Sequence, residues 1–480
     1  MDIIKENHKG KNIKIKALLK GFSISIGANL VTVMVSLIVT LILPKFISVE
    51  QYGYWQVYLF YTTYIGIFHL GITDGIYLRY GGKQYEELDY GMFHAIYVKL
   101  VKLEVIIAVG LSGISMFSQE NTDKISFISL AVCMFMTNIR YLFLYILQTT
   151  NRIKEFAIIT IVDRVVFIAV CMLCIIAKHF NFIYIIGGDI IGRIISLFIA
   201  QKYCCEIVKT KAETSCDVNT ELKKNISAGS KLLFANLASS CIIGIVRFGI
   251  QKCWSVSVFG KISLMLSISN FFIIFINAIG IVLYPALKRT SDLNKEKLYD
   301  SIDILINSFL FATLVLYYPV ILLINWWLPE YRDFLLYVGM LFPIYIYEGK
   351  TGLLYTTYMK VYRKEGVIFT INIVFVLLSA VFTGILAFGM KNLTGAVMAI
   401  LILIAGRCLV NQIYLGQKLK VKWKIEVLEE IVMTMLFVYI NTFYTGRYVW
   451  VIVTVAIVLY EVIRFKKNKN AIRKIKQILQ

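Results

Sequence analysis

Apolar runs of about 20 residues recur from one end of this 480-residue chain to the other. Each is long enough to cross a hydrocarbon core about 30 Å thick, where a helix satisfies its own backbone hydrogen bonds. Composition agrees. The chain is 59% hydrophobic and 16% charged, against about 45–50% and about 25% in soluble proteins; mean hydropathy is +0.74. The fold class is an all-α polytopic membrane protein. The start, "MDIIKENHKGKNIKIKALLK", is basic and leads into an apolar run over 22–43. That run is longer than a signal-peptide core and no A-x-A pattern follows it, so it reads as a retained first helix.

The runs resolve into about fourteen spans, at approximately 22–43, 54–72, 92–117, 125–148, 157–177, 182–203, 228–250, 261–287, 301–325, 333–358, 366–389, 392–415, 426–446 and 448–464. An even count puts both termini on one side. With that side cytoplasmic, the cytoplasmic segments hold about 33 Lys and Arg and the external loops about 7. The external charges are single: Lys45, Lys124, Lys178, Lys252, Arg332, Lys391 and Arg447. The net charge of +21 is therefore mostly a topology signal and an attraction to anionic lipid, not a nucleic-acid footprint. External loops such as "KHFN" and "GMKNLTG" leave no room for an outside domain, and the polar stretch from Cys205 to Asn225 reads as a tether.

One internal duplication organises the spans. "ANLVTVMVSLIVTLILPKFISVEQYG" lies over "ANLASSCIIGIVRFGIQKCWSVSVFG" without a gap, at a shift of 235 − 28 = 207. Asn29/Asn236, Lys45/Lys252, Ser48/Ser255 and Gly53/Gly260 coincide. Lys154-Glu155 pairs with Lys364-Glu365 at 210, and Gly192-Arg193 with Gly406-Arg407 at 214. "SVEQYG" and "SVSVFG" each read as a hairpin in which glycine makes the turn and the aromatic residue sits at the membrane interface. Six spans separate the repeat starts, so the copies insert in the same orientation, as a parallel repeat. The organisation expected is a six-helix lobe over 1–204, a linker over 205–226, a second lobe over 227–416, and two further helices with a basic tail over 417–480. Repeats of this kind bind substrate between lobes near the midplane and alternate access by rocking.

Ionisable residues inside spans are costly and face a cavity or a partner. The basic ones here are Arg140, Arg164, Arg193, Lys231, Arg247, Lys350 and Arg407, and the acids are Asp163, Asp189 and Glu348. The surplus is cationic and suits an anionic substrate, for which the planar guanidinium fork is well shaped. Alternatives stand beside this. Asp189 and Arg193 are spaced to pair on one helix, Asp163 can pair with Arg140 or Arg164, and Lys231 can snorkel to the interface. Asn29 and Asn236 fit either interhelical hydrogen bonds or substrate contact. Pro319 and Pro343 fall inside the ninth and tenth spans and predict kinks. The nine cysteines, Cys171 and Cys174 included, read as buried apolar residues; the four histidines have no metal-ligand spacing. No phosphate-binding loop G-x-x-x-x-G-K-(S/T) is present, and no cofactor is expected.

"FISVEQYGYWQVY" after the first span, "HLGITDGIYLRYGGK" after the second and "LQTTNRIKEFA" after the fourth resemble the Wzx-type polysaccharide-unit flippases of the MOP exporter superfamily. The likeness covers nearly the whole chain. It implies two helical bundles around a cationic cavity in the bacterial cytoplasmic membrane, with cytoplasmic termini. It also implies an undecaprenyl-pyrophosphate-linked oligosaccharide as substrate, and a polysaccharide polymerase and glycosyltransferases as possible partners. Asp74, Asp163, Asp189 and Glu348 are candidates for ion coupling. A multidrug cation antiporter of the same superfamily is the nearest rival, though it calls for acids in the cavity. A membrane-embedded polymerase or glycosyltransferase is the rival from another class; short external loops and few histidines argue against it.

Overall fold

In the computed structural model the chain is described over residues 34–36, 38–117, 121–177, 181–210, 217–273, 276, 287, 292–421, 424–443 and 448–479. All regular structure among these residues is helical. Among the described residues, seven helices are each long and apolar enough to cross a membrane, and shorter apolar ones accompany them. Large apolar side chains such as Ile106, Leu173, Leu322 and Ile463 point outward, while Glu104, Asp189, Lys350 and Arg407 are buried among a largely apolar core. Hydrocarbon is as good a solvent for leucine as a protein core, so outward apolar side chains cost nothing, and the buried charges need partners.

The chain forms two compact units, Met1–Leu237 and Ala238–Gln480. The first contains α1 (Met34–Phe46), α2 (Val49–Thr62), α3 (Ile72–Arg79), α4 (Tyr90–Ser115), α5 (Asn121–Thr149), α6 (Ile153–Ile176), α7 (Phe182–Tyr203) and α8 (Cys205–Lys209). The division falls inside α9 (Val218–Cys253). Within the first unit α4 packs along α5, and α7 lies against both α5 and α6. The second contains α10 (Val256–Asn270), α11 (Asp292–Ala312), α12 (Tyr317–Trp327), α13 (Leu335–Leu341), α14 (Ile344–Lys350), α15 (Thr356–Val361), α16 (Glu365–Thr383), α17 (Leu393–Lys418), α18 (Lys424–Phe443) and α19 (Val449–Leu479). There α16 packs on α17, α13 on α18, and α11 on α19.

Several expectations are sharpened. The second span breaks after Thr62. A 3-10 turn, Ile65–His69, and two left-handed residues, Leu70 (φ 52°) and Gly71 (φ 80°), precede α3. Pro319 sits in the first turn of α12, after a 3-10 turn over Thr313–Leu316, and Pro343 caps α14. Each span is thus interrupted at its proline, by a 3-10 turn in the continuous run before Pro319 and by a turn at Phe342-Pro343, as the expected kinks require. The stretch read as a tether is helical on either side of 211–216, which lie outside the described residues. In α8, outside the spans, a backbone N–H at Glu206 and the Tyr85 hydroxyl hold the Glu206 carboxyl below its ordinary range.

The duplicated loop also needs correcting. Ser48 and Ser255 are the N-caps of α2 and α10, with ψ of 157° in both, and their hydroxyls accept from the backbone N–H of Gln51 and Val258. The helices therefore begin at the following valine. Gly53 and Gly260 lie inside them and make no turn. Tyr52 and Phe259 are buried, not interfacial, and Tyr52 Oη accepts from Gln56. A serine cap satisfies an otherwise orphaned amide, which is why this element survives in both copies.

The later pairing is corrected too. After α5, Asn151 is left-handed and the Arg152 N–H bonds Leu147 O (2.8 Å); after α15, Arg363 is left-handed and the Lys364 N–H bonds Met359 O (2.8 Å). The separation is 359 − 147 = 212, so Arg152 corresponds to Lys364, and Glu155 does not correspond to Glu365. A π-helical turn lies over Thr351–Tyr355 in the second copy.

Glycines bring α3 and the start of α9 into backbone contact. A Cβ at Gly75 would lie 2.0 Å from Asn225 O, and one at Gly229 would lie 2.0 Å from Gly71 O. Arg79 straps the same helices, donating to Asn225 Oδ1 (2.6 Å) and Glu221 Oε2 (2.7 Å). Gly75→Ala is expected to destabilise the protein by about 1–3 kcal/mol through overpacking. Gly110→Ala, where a Cβ meets open space, is expected to be neutral or mildly stabilising. Thermal unfolding of the detergent-solubilised variants measures both.

Candidate functional site

In the first unit, three helices bring five charged side chains together. Arg140 lies on α5, Asp163 and Arg164 on α6, and Asp189 and Arg193 on α7. Arg193 Nε donates to Asp189 Oδ2 (2.7 Å), one turn back on the same helix, and Nη1 reaches across to Thr137 Oγ1 (2.6 Å). Tyr58 Oη also donates to Asp189 Oδ2 (2.9 Å). Arg140 Nη1 bonds Asp163 Oδ2 (2.7 Å) and Ser196 Oγ (2.9 Å). Gly192 makes the gathering possible: a Cβ there would lie 2.6 Å from Asp163 O.

Arg164 is held differently. Its guanidinium is 3.7 Å from Asp163 and 3.8 Å from Asp189, and its side chain is 27% exposed where the other four are under 10%. The cluster counts three guanidinium groups against two carboxylates. Arg140 Nε has no hydrogen-bond partner among the described residues. Both alternatives read from the sequence are thus present at once: Asp189 pairs Arg193, Asp163 pairs Arg140, and one positive charge remains in excess.

The second unit holds two arrangements. Arg407 on α17 pairs with Glu348 on α14 (2.7 Å) and donates to Ser239 Oγ (2.7 Å). Arg193 thus reaches Thr137 on α5, and Arg407 reaches Glu348 on α14. Gly406 repeats the role of Gly192, since a Cβ there would lie 3.0 Å from Phe375, 212 residues beyond Asp163. The Gly-Arg pairing is therefore matched in tertiary contacts. Arg247 donates to Ser263 (2.9 Å) and lies over the Phe259 ring (5.2 Å).

Lys350 is enclosed. It is fully buried, 3.3 Å from Asp303, and bonded to Glu430. Asn29 lies outside the described residues, and Asn236 and Lys231 are exposed on α9. Asp74, buried on α3, has His69 Nε2 at 3.8 Å. Sequence reasoning missed Asp303, Glu430 and Glu104. Glu104 accepts from Asn138 Nδ2 (2.9 Å) on α5. The available signal was an acid within or beside an apolar run. No group of three or more metal-ligating side chains occurs among the described residues.

This architecture belongs to a known class of helical membrane proteins. It matches an inward-facing multidrug resistance MATE family transporter of the MOP superfamily (TM-score 0.60, 13% identity, 82% of this chain and 98% of that one). It also matches an outward-facing one (TM-score 0.55, 12% identity, 84% and 96%) and a MATE in complex with MaD3S (TM-score 0.54, 12% identity, 84% and 96%). The chain has the fold of these MATE family transporters. No protein-family model and no curated protein matches it.

A buried carboxylate stripped of its guanidinium costs about 3–5 kcal/mol. Arg193→Ala is expected to destabilise by that order, because Asp189 then loses its closest ion-pair partner. The double variant Asp189→Asn, Arg193→Gln is expected to recover most of the loss. Thermal unfolding in detergent measures both.

Proposed function

We propose that this chain is a flippase. It carries undecaprenyl-pyrophosphate-linked oligosaccharide units across the bacterial cytoplasmic membrane by alternating access, for surface polysaccharide synthesis. The observation that carries the reading is the cationic surplus of the cluster on α5, α6 and α7, with Arg164 partly exposed and loosely paired. A pyrophosphate entering beside Arg164 would exchange two long carboxylate contacts for a bidentate one. Asp163 and Asp189 keep Arg140 and Arg193 aligned meanwhile, as supports for the anion and not as its ligands. Arg407 and Arg247 are the corresponding candidates in the second unit.

The lipid tail would stay in the bilayer while the charged head and sugars cross in a polar environment. Fold neighbours solved in inward- and outward-facing conformations fit such a cycle. The cytoplasmic orientation of both termini and association with a polymerase and glycosyltransferases belong to the same proposal. The rival is multidrug or metabolite cation transport, favoured by the names of the fold neighbours. A cation would be repelled by the surplus charge and attracted only after loss of a guanidinium.

The test follows lipid-linked oligosaccharide across the membrane of proteoliposomes. Wild type is expected to translocate it, Arg164→Ala at least about tenfold more slowly, the loss of one charge-assisted contact, with Arg164→Lys in between. Equal translocation with and without protein, together with uptake of a cationic dye, would establish the rival.

A further inference from the structure

Positive charge gathers, with no acid to meet it, where α15 gives way to α16 in the second unit. Arg363 is left-handed (φ 53°), Lys364 follows it, and both are exposed. Lys418, exposed at the end of α17, places Nζ 4.5 Å from the centre of the Tyr362 ring, and Lys295 Nζ lies 5.8 Å from the same centre. Lys364 is near enough to Lys418 to repel it. Among the described residues, Arg363, Lys364 and Lys418 make no ion pair, with the neighbouring Glu365 or with any other acid. Like charges held together in this way attract an anion.

The first copy of the repeat shows what is missing. Arg152, the counterpart of Lys364, pairs with Glu155 (3.2 Å), donates to Tyr203 O (2.9 Å) and lies over the Tyr85 ring (4.5 Å). The counterpart of Glu155 is Val367 (155 + 212 = 367). An acid is thus exchanged for an apolar residue, and that residue lines a groove. The groove, about 370 Å³, runs from Arg363 and Lys364 past Gly366 and Val367 to Thr370 and Ile371. The Thr370 hydroxyl is already satisfied by Gly366 O (3.0 Å), and a Cβ on Gly366 would meet open space. The helix opens the apolar span Glu365–Gly389, so the charged end of the groove lies at the membrane border and the other end in hydrocarbon. A soluble anion would answer the cations and leave the groove empty. An apolar chain would fill the groove and leave the cations unanswered.

We propose that this groove holds one anionic phospholipid of the surrounding bilayer. Its phosphate sits at Arg363, Lys364 and Lys418, and the first part of an acyl chain lies along Gly366, Val367, Thr370 and Ile371. The headgroup takes the part that Glu155 plays in the first copy. The Arg363 fork suits two phosphate oxygens at once, and the lysines add point charges. The lipid is a resident of the second unit, and its site is independent of which substrate the transporter carries.

Native mass spectrometry of the full-length protein, titrated with lipid in detergent, tests this. At its tightest site the wild type is expected to prefer phosphatidylglycerol over phosphatidylcholine at least about tenfold, each cation being worth about fivefold. Arg363→Gln, Lys364→Gln and Lys418→Gln together are expected to abolish the preference. Removing as much charge from the exposed end of α19, by Lys466→Gln, Lys469→Gln and Arg473→Gln, is expected to leave it unchanged. Gly366→Phe keeps every cation and fills the groove; it is expected to weaken phosphatidylglycerol binding about tenfold, the loss of roughly two buried methylenes. A preference that survives the triple substitution beside Tyr362 would overturn the assignment. So would binding that Gly366→Phe leaves intact and inorganic phosphate displaces, which would mark a site for a soluble anion.

Discussion

A charge taken into hydrocarbon is costly unless it is partnered, and the charged clusters of each unit are arranged around that requirement. Arg193 and Asp189 are bonded one helical turn apart, and Arg140 and Asp163 join neighbouring helices. Lys350 binds two acids from two further helices. Apolar packing cannot supply such fixed registers, because a leucine gains little by exchanging lipid for another leucine. Ion pairs and small residues do. Gly192 lets α7 approach Asp163, and Gly75 and Gly229 let α3 and α9 touch backbone to backbone.

The two copies of the repeat keep the same devices at helix ends and change the chemistry between them. Serine caps open α2 and α10, asparagine caps open α7 and α17, and a left-handed residue ends α5 and α15. Between these fixed points, Arg193 takes its acid from its own helix, while Arg407 takes Glu348 from the fourth helix of its copy. A π-helical turn over Thr351–Tyr355 follows Glu348 and Lys350 in the second copy. The cluster on α5, α6 and α7 of the first copy is left with one guanidinium in excess.

The two last helices are the part that the duplication does not explain. They are not appended loosely: α18 brings Glu430 into the interior and α19 packs along α11. Arg464 bonds Glu429 and Tyr460, tying α19 to α18. An added pair of helices thereby becomes part of a polar site that neither copy of the repeat could complete.

Much of the architecture was legible in the chain because membrane crossing is a one-dimensional constraint: length and hydropathy of each run, and the sign of the charges between runs, suffice for it. The helical membrane-spanning class follows from those, and the duplication from residue identities at one fixed shift. So does the short list of buried charges, since Asp163, Asp189, Arg193 and Arg407 stand out against apolar neighbours. The connector between the first two helices is where the sequence puts it, but the glycine-turn reading of "SVEQYG" failed because a capping serine and a turning glycine look alike in a short polar stretch; only the backbone shows the helix starting at Val49. The Lys-Glu pairing failed because the helix ends, not the matching letters, set the register: α6 starts at Ile153 and α16 at Glu365. Partner choice was the tertiary structure's decision. Whether Asp163 meets Arg140 or Arg164, and whether Lys350 meets Glu430 eighty positions away, depends on helix rotation and depth, which no local pattern encodes.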